Sequence, residues 1–376
     1  MVSAYLPYRL VNYYLARKNL LRPAPPINLT FSITNKCQSH CQTCHIWKIY
    51  QDNPEAKKEE LSLGEIEQTF GTMDPVFFFN ISGGCPFLRD DLPEIIKLAS
   101  VYLKPRVIHI PSNGLEPDRI MSMLSTILKD LSHRSEGTYL QIKPSMDGLG
   151  ACHDRIRGTK GNFDKLLLLM ENLKTLQKSY PKLQVGLGTI ISTLNIDRLG
   201  EIIKFIDQLE IDSYIAEIAE IREEMLNASA ALTPRPEDYR QAVGLLCRHF
   251  GKRPSKSVGL TKFTRALRLI YYPLSLRILS EARQVIPCYA AFSNVHLSAY
   301  GEVWSCATLG SKKSLGNLRE QSYNFRKIWQ SKKANDVRDF IISWNCSCPL
   351  ANQAYANMLL HPATLIKALK LYLSLP

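Results

Sequence analysis

Between Ile27 and Arg222 the chain alternates strand-length apolar runs with helix-length amphipathic ones, and no other feature restricts its fold so tightly. Strands are predicted over 27–33, 76–81, 106–111, 139–146, 183–192 and 213–221, and helices over 62–72, 118–131, 162–179 and 196–209. Strands that take turns with helices run parallel, because each helix serves as the crossover that a tight hairpin cannot provide. Such a sheet collects its functional groups at the carboxyl ends of its strands. Ser62 and Glu65 supply an S-x-x-E signature that opens the first of these helices.

The loop after the first strand carries Cys37, Cys41 and Cys44 in a C-x3-C-x2-C arrangement, with Trp47 following. Three thiolates on one loop can hold three irons of a cubane [4Fe-4S] cluster and leave the fourth iron open. Zinc is the alternative, with His40 or His45 as a fourth ligand, although a zinc site usually draws a second ligand pair from downstream.

The other strand ends are also polar. The second closes in Ser82-Gly83-Gly84-Cys85-Pro86, where paired glycines let the backbone approach a ligand closely. The third closes in Ser112-Asn113-Gly114, which also reads as a plain turn. The fourth ends in Ser145-Met146-Asp147-Gly148, followed by His153-Asp154-Arg155-Ile156-Arg157-Gly158 and Gly161-Asn162-Phe163-Asp164. Ser145 and Asp147 alternate along a strand and so share a face; Asp154 with Arg155 or Arg157 also suits a helix-entry salt bridge. Asn195 reads as a helix N-cap. Glu217, Glu220 and Arg222 on the sixth strand either line a cavity or pair with one another, since lone buried charges are costly.

Taken together, these motifs resemble the radical S-adenosylmethionine (SAM) enzymes, in which the open iron chelates the amino and carboxylate groups of SAM. The resemblance implies an α/β fold, a partial (β/α)6 barrel of the radical SAM type, over residues 27–222. It implies Cys37, Cys41 and Cys44 as ligands of the SAM-binding [4Fe-4S] cluster. Gly83, Gly84, Ser112, Asn113, Ser145, Asp147 and Arg157 would then surround SAM, with Ser145 and Asp147 on the ribose and Arg157 on the carboxylate; the stretch from Gly186 to Asn195 would lie against adenine. One position departs from the pattern: the family carries Gly-Gly-Glu-Pro where this chain has Cys85 in place of the Glu. A neutral thiol is a poor acceptor for an ammonium, so that contact passes to a backbone carbonyl or another acid, or Cys85 takes a role of its own as hydrogen-atom donor or cluster ligand.

A second cysteine set follows after a helical, basic stretch over 223–284. Cys288, twelve residues, Gly301, four residues and Cys306 resemble the hairpin opening of SPASM and twitch extensions, and Cys346 and Cys348 follow. A hairpin is expected over 294–307, a helix over 324–343 and a final helix over 365–372. Four ligands fit one auxiliary iron–sulfur cluster, so residues 285–376 read as a small twitch-like cysteine-containing C-terminal extension; zinc is the alternative, and the short C-x-C departs from the usual spacing. Cys152 and Cys247 read as ordinary thiols. The implied activity is reductive cleavage of SAM to a 5′-deoxyadenosyl radical that takes a hydrogen atom from a peptide, lipid or small molecule, with an external donor of the flavodoxin or ferredoxin type. The competing reading is a non-catalytic scaffold holding a cluster or zinc.

Composition adds boundaries. The 376 residues, 45% of them hydrophobic, suffice for a packed core. Ten cysteines without a secretory start point to metal ligation in a reducing, cytoplasmic setting rather than to disulfides. A net charge of +13 favours an anionic partner, whether an acidic electron donor, an anionic membrane surface or nucleic acid, and nothing is specific for the last. No run is apolar enough to span a bilayer. Residues 1–26 form an amphipathic helix with a Pro-rich connector, and three basic amphipathic segments (5–22, 262–283 and 365–372) could place the protein peripherally at a membrane.

Overall fold

The computed structural model describes residues 2–134, 137–228, 231–252 and 260–375. Helix α1 (Val2–Ala16) leads through the prolines into β1 (Asn28–Thr34), followed by α2 (Lys48–Asp52), α3 (Leu63–Gly71), β2 (Phe78–Gly83), α4 (Leu92–Leu98), β3 (Val107–Ser112), α5 (Pro117–Arg134) and β4 (Tyr139–Pro144). Then come α6 (Gly150–Arg157), α7 (Asn162–Ser179), β5 (Leu183–Ile191), α8 (Leu199–Asp207), β6 (Ser213–Ile218), α9 (Pro236–Lys252) and α10 (Leu260–Glu281). The chain ends in β7 (Asn294–Leu297), β8 (Glu302–Trp304), β9 (Ser314–Asn317), α11 (Phe325–Trp329), α12 (Lys332–Ile342), α13 (Ala351–Leu360) and α14 (Pro362–Ser374).

All nine strands join one sheet in the order β6-β5-β4-β3-β2-β1-β7-β8-β9. The first six are parallel, so the expected alternation produces an open, partial (β/α)6 barrel. β7 adds to it in parallel beside β1, and only β8 and β9 reverse direction. The extension therefore continues the sheet of the core. Its predicted hairpin is β7–β8, shorter than expected, and a third strand, β9, follows.

The two faces of the sheet differ in chemistry. Leu29, Phe31 and Ile33 of β1, Phe79 and Ile81 of β2, Ile108 and Ile110 of β3, and Leu140 and Ile142 of β4 are buried in the main apolar core. Each such side chain contributes about 1.5–3 kcal/mol by leaving water. The opposite positions are Thr30, Ser32, Asn80, Ser82, His109, Gln141, Lys143 and Ser145. Parallel strands buried on both faces usually read as continuous apolar runs; here polar side chains on one face line the barrel lumen.

α10 and α13 close the lumen. The Tyr272 hydroxyl of α10 meets the Ala216 N–H on the open edge of β6 at 3.3 Å. Asn352 of α13 donates to the Thr30 hydroxyl (2.9 Å) and accepts from Asn28 (2.7 Å), which ties it to lumen positions of β1. α10 is thus a core helix, so the basic amphipathic segment 262–283 packs on the core rather than standing free for a membrane surface. Arg265 donates to the Phe250 carbonyl and Arg268 is 7% exposed, while Leu267, Ile270, Tyr271 and Tyr272 are buried. The single helix expected over 324–343 is two, α11 and α12, with Ser331 capping the second through the Ala334 N–H. The predicted capping box is present: Ser62 and Glu65 bond reciprocally, and the same Glu65 carboxylate holds Arg319 (2.7 Å) and Tyr323 (2.8 Å) of the extension. Among the described residues no helix is long and apolar enough to cross a membrane.

Candidate active site

The cysteine loop is gripped from three sides at the carboxyl end of the sheet. From β2, the Gly84 N–H donates to the Thr34 carbonyl (2.7 Å) and the Cys85 N–H to the Lys36 carbonyl (2.8 Å). From the end of α6, the Ile156 carbonyl accepts from Gln42 N–H (2.9 Å), the Arg157 carbonyl from the Ser39 hydroxyl (3.0 Å) and the Arg155 carbonyl from the Gln42 side chain (3.0 Å). From beyond β6, Met225 accepts from the His45 N–H (2.7 Å) and Asn227 donates to the Thr43 carbonyl (3.0 Å).

Glycine is required at two of these junctions. Gly83 has φ of +108°, and any β-carbon there would lie on the Thr34 carbonyl oxygen. Gly158, with φ of +65°, is pressed in the same way against His40. Both are left-handed conformations that L-residues adopt only at a cost. Gly83 and Gly84 thus bring backbone against backbone at the stem of the loop.

The three thiols share one electrostatic environment. Burial pushes the Cys44 thiol up to about 12, with Cys41 and Cys37 adding to the rise; burial also raises Cys37. The Arg157 guanidinium acts against this on both. The Ser39 hydroxyl lies 3.2 Å from Cys41 Sγ, and the Asn113 amide, held by Gln38, is 3.9 Å from Cys37 Sγ. Thiols that resist ionisation alone but face a buried cation and N–H or O–H donors suit thiolates bound to iron. Among the described residues no three His, Cys, Asp or Glu side chains are drawn together tightly enough to hold a single metal ion.

Asp147 and Arg157 meet each other. Asp147 is fully buried; one carboxylate oxygen accepts from Arg157 Nη1 (3.0 Å) and the other from the Ile190 N–H (2.8 Å). Ser145, partly exposed, bridges to Gly188 on β5. Asp154 caps α7, accepting from the Gly161 and Phe163 N–H groups, so neither arginine beside it is its partner. His153 is a buried pin: Nδ1 accepts from the Asp147 N–H and Nε2 meets the Asn162 side-chain Oδ1 at 3.2 Å, while burial holds it neutral with its pKa down to about 4. Asn195 occupies the N-cap position of the turn Ile196–Arg198 that leads into α8, but its side chain makes no capping bond; its amide donates to the Asp147 and Ile190 carbonyls and locks the β5 exit. Arg157 keeps one buried donor, Nε, without a partner. Ser112 and Asn113 form the turn after β3, accepting from the Gly114 and Leu115 N–H groups.

Cys85 is 2% exposed beside Cys37. Burial pushes its thiol up to about 12, with Cys37 as the next cause, so it is protonated and neutral at physiological pH.

The second cysteine set also converges. Cys288, Cys306, Cys346 and Cys348 raise one another's pKa, though burial is the largest cause in each, taking Cys288 to about 11 and Cys306 to about 12. Arg17, just past α1, donates to the Cys288 carbonyl (2.9 Å), Asn357 accepts from the Tyr289 N–H (2.8 Å), and Tyr271 donates to the Pro349 carbonyl (2.9 Å). Arg338 binds the Ala291 and Trp329 carbonyls and pins α12 beneath the turn after Cys288.

Between the two sets lies a charged bridge. Glu220 and Arg222 pair at 2.8 Å just past the end of β6, and Glu224 lies 3.8 Å from both Arg222 and His296, whose Nε2 is 2.8 Å from the Ser32 hydroxyl. Burial pushes Glu224 up to about 7, and burial also depresses His296 to about 3. Strand six stops at Ile218, so Glu220 and Arg222 lie on its exit rather than within it. Sequence reasoning did not single out Glu224, His296, Lys143 or His109; polar alternation along strands that otherwise read as buried was the signal that carried the last three, whereas Glu224 lies in the turn Glu223–Met225 after β6.

Residues 31–206 match the family model for the radical SAM superfamily, and residues 288–349 match SPASM, an iron–sulfur cluster-binding domain. Curated relatives include pre-heme d1 synthase of Dinoroseobacter shibae, 25% identical over 54% of this chain and 46% of that protein. They also include mycofactocin maturase MftC of Mycolicibacterium smegmatis (27%, over 47% of this chain and 40% of that one) and Fe-coproporphyrin III synthase of Methanosarcina barkeri (28%, 58% and 50%). The chain spans half or less of the length of these three relatives. Among solved structures, Streptococcus suis SuiB bound to S-adenosylmethionine superposes with a TM-score of 0.59 at 13% identity, covering 87% of this chain and 70% of that one. anSMEcpe with bound AdoMet and Cp18Cys peptide gives 0.54 at 14% identity, covering 92% and 99%. The cofactors of this pair of domains are a [4Fe-4S] cluster with SAM in the first and auxiliary iron–sulfur in the second. The chain thus carries a radical SAM domain over residues 31–206 and a SPASM iron–sulfur cluster-binding domain over residues 288–349.

Proposed function

We propose that the protein is a radical SAM enzyme that activates a C–H bond of a substrate held in the barrel lumen. The observation that carries this reading is the three-thiol loop fixed at the mouth of a polar lumen, with a second four-thiol set behind it. Cys37, Cys41 and Cys44 would hold the SAM-binding [4Fe-4S] cluster, and Cys288, Cys306, Cys346 and Cys348 one auxiliary cluster. When bound, the cluster with SAM supplies one-electron cleavage to a 5′-deoxyadenosyl radical that abstracts a hydrogen atom.

The chain's own residues bind and orient. Arg157, fixed by Asp147, presents its unpartnered Nε as the donor for the SAM carboxylate or for a thiolate. Ser145, Ser112 and Asn113, with the backbone of Gly83 and Gly84, wall the SAM side. Asp147 supports SAM indirectly, through Arg157. Cys85 is a neutral wall residue, so backbone carbonyls or a carboxylate must receive the SAM amino group. α10 and α13 wall the lumen and narrow its access to bulk water, which protects a reactive intermediate.

The fold neighbours SuiB, solved bound to precursor peptide SuiA, and anSMEcpe, solved with a peptide, favour a peptide substrate; the porphyrin-related names among the relatives favour a small molecule. An acidic flavodoxin or ferredoxin would suit the basic surface as electron donor. Membrane docking would fall to α1 and α14, where Tyr5, Tyr8 and Val11, and Ile366, Leu369 and Leu373, form exposed apolar stripes; equal sedimentation with neutral and anionic liposomes would remove that part.

The test is anaerobic reconstitution with iron and sulfide, then dithionite and SAM. Formation of 5′-deoxyadenosine, lost in Cys41→Ala, is the expected result. An iron–sulfur protein that binds but never cleaves SAM would favour the scaffold reading, for which Cys85 is the argument.

A further inference from the structure

Deep in the lumen, below the loops that carry the cysteines, two cations face the same space. Lys143 lies two residues before Ser145 on β4, which places it about 7 Å further from the carboxyl end of the sheet. Its stem runs over the bare backbone of β5: a β-carbon at Gly186 would lie 3.4 Å from Lys143 Cε, and one at Gly188 3.9 Å from Cδ. The ammonium is thereby carried into the lumen. Arg268 reaches in from α10, its guanidinium 5.4 Å from the Phe250 ring, and its buried Nε has no partner.

The neighbours of this pair are unsatisfied as well. His109 Nε2 on β3 and the Tyr355 hydroxyl on α13 are buried without hydrogen bonds. Among the described residues neither Lys143 nor Arg268 has a carboxylate within ion-pair distance, although the charge of Glu217 on β6 is felt at Lys143. Burial, with Arg268 beside it, depresses Lys143 to about 7, and burial keeps His109 neutral with its pKa at about 3. Buried polar groups without partners are costly, and Arg268 Nε with the neighbouring Tyr355 hydroxyl, beside the Lys143 ammonium, form a cradle for an acceptor. Yet Lys143, His109, Gln141 and Glu217 all retain partial exposure, so the space is open to solvent.

We propose that Lys143 and Arg268 form a carboxylate-binding subsite in the lumen and that the substrate carries a carboxylate. A bound anion would hold the Lys143 ammonium protonated, and with Glu217 facing the pair a monoanion fits better than a phosphate dianion. The Arg268 Nε, the Lys143 ammonium and the Tyr355 hydroxyl supply three donors for two carboxylate oxygens. The depth of Lys143 separates the site from the SAM carboxylate, whose place is at the strand ends. This rests on the radical SAM reading for the assignment of the lumen to the substrate.

Equilibrium dialysis of the reconstituted, SAM-loaded protein with radiolabelled butyrate, a monocarboxylate, tests it. The expected result is saturable binding, with butyramide at least about tenfold weaker and with about tenfold loss in both Lys143→Met and Arg268→Gln. The affinity for SAM, measured in parallel, stays at the wild-type value in both variants. Competition by a blocked pentapeptide containing Glu, but not by its Gln counterpart, would identify a peptidyl carboxylate; competition by free acids alone would identify a small molecule. Wild-type butyrate affinity in Lys143→Met overturns the proposal, as does a parallel loss of SAM affinity, which would hand the two cations to SAM. A folded variant is verified by unchanged melting and iron content, and Arg268→Lys, which keeps the charge, should recover part of the binding. Failure to form 5′-deoxyadenosine would remove the enzymatic reading without altering the binding result.

Discussion

Replacing Asp147 by Asn tests how the cysteine loop is supported. The carboxylate is fully buried and bonds to Arg157 at 3.0 Å, and Arg157 is 9% exposed. An Asn amide can still accept from one donor, but it leaves the guanidinium without its counter-charge. A buried ion stranded in this way costs about 3–5 kcal/mol. For a chain of 376 residues that is a fall of about 4–6 °C in melting temperature of the apo-protein. Asp147→Asn combined with Arg157→Met strands no charge, so the double variant should lose about 2 kcal/mol less than the sum of the singles. Urea unfolding of the four metal-free proteins under reducing conditions reads the cycle. If Asp147→Asn unfolds like wild type and loses only SAM affinity, the carboxylate is a direct SAM ligand and the supporting role assigned to it is wrong.

Other outcomes follow from the same geometry. Gly83→Ala should force the stem of the cysteine loop away from Thr34, so iron bound at Cys37, Cys41 and Cys44 falls while iron bound by the C-terminal cysteines is kept; equal loss from both would contradict it. Cys85→Ala should leave 5′-deoxyadenosine formation and product turnover near wild type, since the thiol is buried and neutral; abolished turnover with intact SAM cleavage would restore a chemical role for Cys85. Glu65 is held down to about 2, chiefly by Arg319, from an ordinary 4.5. A depressed carboxylate stabilises above its unfolded value, so Glu65→Gln should cost about 1 kcal/mol near pH 7. That gap should narrow below pH 4.5 and close as pH falls through about 2; a penalty independent of pH would point to packing instead.

Much of the scaffold was legible because it is encoded locally. The six strands, the Ser62–Glu65 cap and the C-x3-C-x2-C loop each depend on residues within a few positions of one another. The expectations that the structure revised involve partners far apart. Asn195 stands at the cap position as read, but its side chain bonds to the Asp147 carbonyl rather than to the helix, and the basic residues of α10 turn inward because the helix fills an open sheet edge. The helix expected over 324–343 breaks at Ser331, whose side chain caps a new helix, a local signal that the hydrophobic pattern had outweighed.

The sequence by itself determined the chemistry on offer: three thiols on one loop, four more near the C-terminal end, and polar strand ends between them. Tertiary structure alone decided which groups meet. Ser32 reaches His296, Asn28 reaches Asn352, and Lys143 shares its space with Arg268, pairs that no periodicity joins. The physical reason is closure of the lumen: β7, α10 and α13 arrive late in the chain and supply the wall that turns one polar face of a sheet into an enclosed site. There a charge without a partner is costly, and it marks the place where a ligand of the opposite sign is expected.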